Sequence, residues 1–268
     1  MYLTRFRVNT GRFEGRRLLG SPHRVHGAVN ASFPTPPSRD GSGPRVLWRV
    51  DHNGASETLL FIVSPTRPDL THLVEQAGWP ASDEAGWTTF AYADFLTALH
   101  PGDTWGFRLT ANPVHNIRHQ YLEEGQPTKR AAHRTPRHQM KWLLDRQEKA
   151  GFEIVRKPEE RRLLPEGDEY ELVVRDQIPL QFHRPQPQAE TRAQAQAPTR
   201  TQAPPKAGAK GGRAGDVQIT KVTFDGRLRI TDPEAFRRTL THGLGKAKAY
   251  GCGLMTLAPV RSQGEGAA

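Results

Sequence analysis

The segment that most constrains this chain is a glycine- and lysine-rich stretch near its C-terminal end, residues 243–254, with the sequence GLGKAKAYGCGL. It lies directly after a predicted helix and directly before a short apolar run. Glycine lets a backbone come close to a bulky ligand and adopt positive φ angles that other residues avoid, and the lysines add positive charge. We therefore predict a loop that binds the sugar-phosphate backbone of a nucleic acid, with contacts from Gly243, Gly245, Gly251, Lys246 and Lys248.

The charge of the chain agrees with such a partner. The 38 Lys and Arg residues exceed the 28 Asp and Glu residues, which gives a formal net charge of +10. A positive excess favours polyanions through attraction and counterion release. Arginine is used far more than lysine, and its planar fork suits phosphate contacts and base stacking. Charge alone leaves open a soluble basic protein without a nucleic-acid partner.

Composition argues against several other classes of protein. The single cysteine, Cys252, excludes an internal disulfide and a structural zinc–cysteine site, and it fits a reducing cytoplasm. No apolar run approaches the ~20 residues of a membrane span, and the N-terminus lacks the apolar core of a signal peptide. We expect a cytoplasmic protein with no membrane partner and no cofactor.

The first half of the chain has the pattern of one small unit of strands and helices. Alternating apolar residues indicate strands, and Val25 and Val29 have helical spacing. The predicted elements are a strand at 1–8, a basic loop at 12–17, a helix opened by Ser21-Pro22, strands at 45–51 and 57–64 around an Asn53-Gly54 turn, a strand or short helix at 95–99, and a strand at 104–112. This order predicts a split βαβ, ferredoxin-like unit over residues 1–125, with a short or degenerate second helix.

The second half repeats this pattern around an insertion. Residues 183–215 are rich in Pro, Gln, Ala and basic residues and contain no large aliphatic residue, so we predict a disordered basic insertion. The other predicted elements are a helix at 138–151, strands at 152–155, 170–174 and 178–182, a hairpin at 217–230 with its turn at Asp225-Gly226, a helix opened by Asp232-Pro233, and a strand at 254–257. The fold class is therefore α+β, with two tandem ferredoxin-like (RRM-like) domains at 1–125 and 126–268.

Two histidines on the first predicted helix could carry chemistry. His23, His26 and Asn30 share one edge of this helix, away from its apolar stripe. Cleavage of RNA by its own 2′-OH needs a base on that hydroxyl and an acid on the departing 5′ oxygen, and histidine can fill either role. We predict His26 and His23 as catalytic residues, with Lys246 and Lys248 at the phosphate. Two exposed histidines without a function are the alternative, and a metal site lacks a third ligand nearby.

A basic run at residues 129–141 is the second candidate surface. Its functional interpretation is a clamp on an RNA stem, formed by Arg130, Arg134, Arg137 and Lys141. A solvated loop and helix end would have the same composition. Tyr250, beside the glycine loop, could stack on a base or pack within the protein.

These segments together resemble one family, the CasE-type CRISPR-associated endoribonucleases of type I-E systems. The resemblance rests on residues 1–5 (MYLTR), 21–26 (SPHRVH) continuing to Phe33-Pro34, Lys129-Arg130, 142–152, and above all 222–254, from VTFDG through TDP to the glycine loop. It spans the whole chain except the insertion, and the tail motif is its most specific part.

The resemblance implies a function in some detail. It implies metal-independent cleavage of the CRISPR repeat transcript at the 3′ base of a stem-loop, by 2′-OH attack, with 2′,3′-cyclic phosphate and 5′-OH products. The enzyme would stay on the mature crRNA and join other Cascade subunits. His26 corresponds by position to the family's catalytic histidine. His23 stands where the family often has tyrosine, which leaves its role open.

Two rival functions belong to other classes. A non-catalytic RNA-binding scaffold subunit could use the same tandem fold and hold guide RNA by its shape. A metal-dependent nuclease acting on another RNA would need clustered acidic ligands, and the sequence has none near the histidines.

Overall fold

The structure is a computed structural model that describes residues 1–35, 43–54, 57–79, 86–117, 129–164, 166–183 and 216–260. Of the insertion predicted at 183–215, residues 184–215 lie outside the described part of the chain. Most of the connector predicted after the first long helix, residues 36–42, lies outside it as well.

The first sheet has the strand order of a ferredoxin-like unit. Its elements are β1 (Tyr2–Val8), α1 (Phe13–Leu19), α2 (Pro22–Asn30), β2 (Leu47–His52), β3 (Thr58–Ser64), α3 (Thr71–Ala77) and β4 (Trp87–Ala91). The four strands are antiparallel in the order β2-β3-β1-β4. Val25 and Val29 of α2 join a buried cluster with Phe6 and Ile62 of the sheet. The apolar stripe predicted for α2 is therefore the face that covers the sheet.

The second sheet repeats the same order. After α4 (Tyr92–Thr97) come β5 (Thr104–Ala111), β6 (Val114–Ile117), β7 (Lys129–Ala132), α5 (Pro136–Gln147), β8 (Phe152–Ile154), β9 (Leu172–His183), β10 (Asp216–Ile230), α6 (Pro233–His242) and β11 (Met255–Pro259). The order is β11-β5-β10-β8, and β9 also pairs with β10. Strands β6 and β7 form a separate hairpin. The α+β class with two tandem ferredoxin-like units is confirmed.

One strand lies in a different sheet from the one expected. The sequence analysis placed residues 104–112 in the first unit, but β5 pairs with β10 and β11 of the second sheet. The fourth strand of the first sheet is instead β4, whose polar Thr88 and Thr89 and short length conceal it in the sequence. The domain limits 1–125 and 126–268 stay a prediction, and the pairing of β5 leads us to propose a boundary between α4 and β5.

The hairpin predicted at 217–230 is wrong, because this segment is the single long strand β10. Asp225 lies within the strand, and its carboxylate accepts hydrogen bonds from Arg108 of β5 and Arg175 of β9. A Cβ on Gly226 would lie 2.4 Å from the carbonyl oxygen of Glu171. Gly226 therefore allows a close contact between strands, and Asp225 forms an ion-pair network. The local sequence alone does not distinguish an Asp-Gly pair with these roles from one that forms a turn.

Two smaller differences concern element type and extent. The basic loop expected at 12–17 is largely helix α1, whereas the segment at 95–99, expected as a strand or short helix, falls in helix α4 and the residues after it. The two strands expected at 170–174 and 178–182 are one strand, β9. Helix α6 begins as predicted, since the Asp232 carboxylate accepts hydrogen bonds from the backbone N–H groups of Glu234 and Ala235.

A buried arginine joins the two sheets. Arg49 of β2 is only 1% exposed, and its Nε and Nη2 donate to the Asp51 carboxylate at 2.6 and 2.7 Å. Its Nη1 donates to the backbone carbonyls of Arg108 at 2.7 Å and Leu254 at 3.1 Å, and its Nη2 donates to the Thr256 hydroxyl at 2.7 Å. Arg108 lies on β5, Leu254 directly precedes β11, and Thr256 lies on β11. One cation in the first sheet is thus satisfied mainly by groups of the second.

We expect Arg49→Met to destabilise the chain by about 3–5 kcal/mol, because it leaves the buried Asp51 carboxylate without its two-pronged partner. The measurement is the free energy of unfolding in urea. Arg229→Met is the matched control, since the Arg229–Glu153 pair is about half exposed and such pairs contribute about 0–1 kcal/mol. Equal effects of the two substitutions would contradict the role given to Arg49.

Candidate nucleic-acid interface

The predicted catalytic helix lies against the glycine loop. Helix α2 packs on a 3-10 turn, Lys248–Tyr250, in the middle of that loop. His23 is exposed, whereas His26 is half-buried and its Nε2 lies 3.2 Å from Nδ2 of Asn30. The structure therefore brings the helix that carries these histidines, in the first unit, into contact with the loop of the second unit, which lies far from it in the sequence.

The glycines of the loop are required by contacts inside the protein. Gly243, Gly245 and Gly251 have φ angles of 75°, 85° and 78°, a conformation that other residues rarely adopt. A Cβ on Gly245 would lie 2.9 Å from the Trp142 ring, and one on Gly251 would lie 2.6 Å from the Trp48 ring. The expected close approach is thus to tryptophan side chains. These glycines give the loop its shape, and a direct contact with nucleic acid stays a prediction.

The two loop lysines differ in their surroundings. Lys246 is exposed. Lys248 is half-buried, and its Nζ donates to the carbonyl oxygen of Gly245 at 3.0 Å. Burial, with the positive charges of Arg45 and Lys246, lowers the pKa of Lys248 below its usual value. Lys248 therefore braces the loop, while Lys246 is available to a ligand.

A basic groove runs between the β6–β7 hairpin, helix α5 and the glycine loop. One cavity of about 570 Å³ is lined by the cations Arg130, Lys141, Arg146 and Lys246. The adjoining cavity, of about 1020 Å³, is lined by Arg134 together with Arg130 and Lys246. We call these two cavities the basic groove. Arg137 is exposed on the first turn of α5 and lines neither cavity.

The sequence analysis missed a histidine cluster in this groove. The ring centroids of His115 and His133 are 4.6 Å apart, and those of His133 and His138 are 5.9 Å apart. These residues lie on β6, in the β7–α5 connection and on α5. Burial, with the charges of His115, His138 and Arg146, lowers the pKa of the His133 imidazole. Only the pairing of β6 with β7 brings His115 to the other two, so no local pattern reveals the cluster.

Tyr250 and Cys252 make contacts within the protein. The Tyr250 ring packs edge-on against Phe182 of β9, with centroids 4.8 Å apart. Cys252 is fully buried, and burial raises the pKa of its thiol to about 12.

Within the described residues, no group of three or more His, Cys, Asp or Glu side chains is arranged to hold a metal ion. No helix in the described ranges has both the length and the apolar character needed to cross a membrane.

Two tandem ferredoxin-like units with a basic groove beside a histidine-bearing helix have the features of a nucleic-acid-binding protein. A family model described as "CRISPR associated protein" matches residues 1–259. The chain therefore belongs to the CRISPR-associated protein family, and its resemblance to the CasE type is confirmed.

Individual relatives agree with this assignment. The chain is 28% identical over 260 residues to the CRISPR-associated endoribonuclease Cse3 of Thermus thermophilus, covering 97% of this chain and 100% of that protein. It is similar to the structure of Thermus thermophilus Cse3 bound to an RNA representing a pre-cleavage complex, with 25% identity, a TM-score of 0.64, and coverage of 96% and 98% of the two chains. Cas6e of Escherichia coli K-12 shares the fold, with 19% identity, a TM-score of 0.54, and coverage of 97% and 100%.

We expect Gly251→Ala to destabilise the chain by about 1–3 kcal/mol more than Gly54→Ala. Both glycines have positive φ angles, 78° and 87°, but an added Cβ meets the Trp48 ring at Gly251, whereas at Gly54 it meets no atom of the described residues within 4 Å. Comparison of the two substitutions therefore separates the loss of stability caused by the clash with Trp48 from the loss caused by the backbone conformation. The measurement is the free energy of unfolding in urea, and equal losses would show that the Trp48 contact carries no strain.

Proposed function

We propose that this protein is an endoribonuclease that cleaves CRISPR repeat stem-loop RNA without a metal ion. The observation that carries the proposal is the packing of α2, which bears His23 and His26, against the loop whose Lys246 lines the basic groove. Helix α2 carries side chains that can transfer protons, and the loop on which it packs contributes a lysine to a surface that can bind phosphates. The Thermus relative is named an endoribonuclease, and its structure with RNA represents a pre-cleavage complex.

The proposed reaction is an internal transfer at phosphorus. The 2′ oxygen of the RNA forms a bond to the neighbouring phosphorus, and the bond from phosphorus to the 5′ oxygen breaks. One proton leaves the 2′-OH and one is delivered to the 5′ oxygen, so the products are a 2′,3′-cyclic phosphate and a 5′-OH. Water is not consumed, and the reaction needs only groups that move protons and stabilise charge.

His26 is the proposed general acid or base. Asn30, one helical turn later, lies within hydrogen-bonding distance of its Nε2. When the Asn30 amide donates to Nε2, that nitrogen carries the lone pair and Nδ1 carries the proton. Asn30 would thereby fix both the orientation and the tautomer of the imidazole. His23, exposed on the first turn of the same helix, would assist as a second proton donor or as a phosphate ligand.

The glycine loop and the basic groove would hold the RNA. Charge that develops on the phosphate is stabilised by nearby cations and backbone N–H groups, which Lys248 and the loop amides would supply. The stem of the RNA would be held by Lys246, Arg130, Arg134 and Lys141. Arg137 would contact the stem from the first turn of helix α5. The protein would then stay on its product and join other Cascade subunits in the cytoplasm. A non-catalytic RNA-binding scaffold could use the same architecture. An assay for RNA cleavage decides between the endoribonuclease and the scaffold.

We expect His26→Ala to lower the cleavage rate by about 10²–10⁴-fold and to leave the Kd for the RNA nearly unchanged, because it removes proton transfer but no charge contact. The measurement is cleavage of a stem-loop repeat RNA in EDTA, with identification of the fragment ends. His100→Ala, at a 73% exposed side chain, is the matched control, and His23→Ala tests the assisting role. Normal cleavage by His26→Ala would refute the mechanism. Tight binding without cleavage by the unmutated chain would favour the scaffold.

Lys246→Ala should weaken RNA binding and reduce the slope of log Kd against log salt concentration by about one, because one phosphate contact is lost. Lys149→Ala, at an exposed lysine that lines neither cavity of the groove, should leave the slope unchanged. Binding is measured by fluorescence anisotropy across a salt series. An unchanged slope for Lys246→Ala would exclude this lysine from phosphate contact.

A further inference from the structure

The histidine cluster at His115, His133 and His138 has no part in the function proposed so far. It lines the same cavity as the cations Arg130, Lys141, Arg146 and Lys246. Three imidazoles from three separate elements are thus held side by side in a positively charged site. Among the described residues that line the cavity, the one carboxylate is that of Asp145, which already forms an ion pair with Lys141 at 2.8 Å.

The contacts of the cluster leave it able to take up protons and bind an anion. His138 Nδ1 lies 2.7 Å from the Thr135 hydroxyl, and among the described residues none bonds to its Nε2. The Arg146 guanidinium lies over the Trp142 ring at 4.4 Å, and the same ring supports the loop at Gly245. Part of the cavity lining is therefore held by contacts among Arg146, Trp142 and Gly245 that do not involve the histidine rings.

We propose that these three histidines form a phosphate subsite of the basic groove that binds an RNA phosphodiester most tightly when the cluster is protonated. The proposal rests on RNA binding by the groove, as proposed above. Burial and the like charges around His133 oppose its protonation in the free protein, and a bound phosphodiester supplies the missing negative charge. RNA binding and proton uptake therefore favour each other.

The direction of the pH dependence follows from this coupling. In the free protein the pKa of His133 lies below its usual value, and a phosphate beside it raises that pKa in the complex. The gain in affinity for RNA is complete below the pKa of His133 in the free protein. It is lost as the pH rises through the pKa of His133 in the complex. For one proton taken up, linkage limits the gain to about tenfold per pH unit.

The groups that face His133 come from every element around it. His115 is on β6, Arg130 on β7, Lys246 on the glycine loop, and His138, Lys141, Asp145 and Arg146 are on α5. Histidine is the residue type among them whose reference pKa, about 6.5, lies within the pH range of the test.

The test uses His26→Ala as the parent chain, so that the RNA stays intact and one further histidine is removed. The Kd for a fluorescent stem-loop RNA is measured from about pH 5.5 to 8 at constant ionic strength. We expect the parent to bind about fivefold to tenfold more tightly per pH unit as the pH falls through the window. Adding His133→Gln should remove most of this slope, and adding His100→Gln, which alters a histidine outside the groove, should retain it.

A second measurement covers the case in which His133→Gln fails to fold. In the parent chain with ¹³C-labelled histidine, the pKa of His133 should rise on addition of the RNA and keep its free value with inorganic phosphate alone. An unchanged pKa with RNA, an equal rise with inorganic phosphate, or the same pH slope in a folded His133→Gln protein would overturn the subsite. Failure of the parent to bind the RNA at any pH would overturn the proposed RNA binding as well.

Discussion

The structure depends on the buried Arg49 guanidinium, which is shared between the two sheets. Its acceptors include Leu254, the last residue of the glycine-loop segment, and Thr256 of the strand that follows. The preceding residue, Trp48, packs against Gly251 in the middle of that loop. The same edge of the first sheet therefore anchors both the loop and the strand after it. The position of the loop beside helix α2, and so of the whole candidate site, follows from this contact.

Local signals predicted those parts of the fold that are locally determined. The proline at position 22 starts α2, and the Asp232 carboxylate caps α6. Gly151 adopts the left-handed conformation, with a φ of 80°, after the 3-10 turn Glu148–Ala150 that follows α5. These features depend on a few neighbouring residues, so they can be recognised without a partner strand. Ser21 is a partial exception, since it occupies the N-cap position of α2 but its side chain makes no capping hydrogen bond.

Features set by distant contacts could not be predicted in this way. Alternation identified β5 as a strand, but only its pairing with β10 and β11 assigns it to the second sheet. Asp225-Gly226 has the composition of a turn, although Arg108 and Arg175 hold it within a strand. The sequence suggested that the loop glycines approach a ligand, and it gave no sign that Gly245 and Gly251 lie against tryptophan rings. Candidate residues for the site could thus be named from the sequence, whereas their contacts and distances could not.

We propose that one RNA molecule lies across both units, with its scissile phosphate at His26 and its stem in the basic groove. The most direct test is an experimental structure of the unmutated chain bound to a stem-loop RNA that carries a 2′-deoxy nucleotide at the cleavage position. The account predicts a phosphate oxygen about 3 Å from a His26 ring nitrogen, with Arg130 and Lys246 in contact with the stem. RNA bound on another surface, or in the groove with no phosphate near His26, would contradict it.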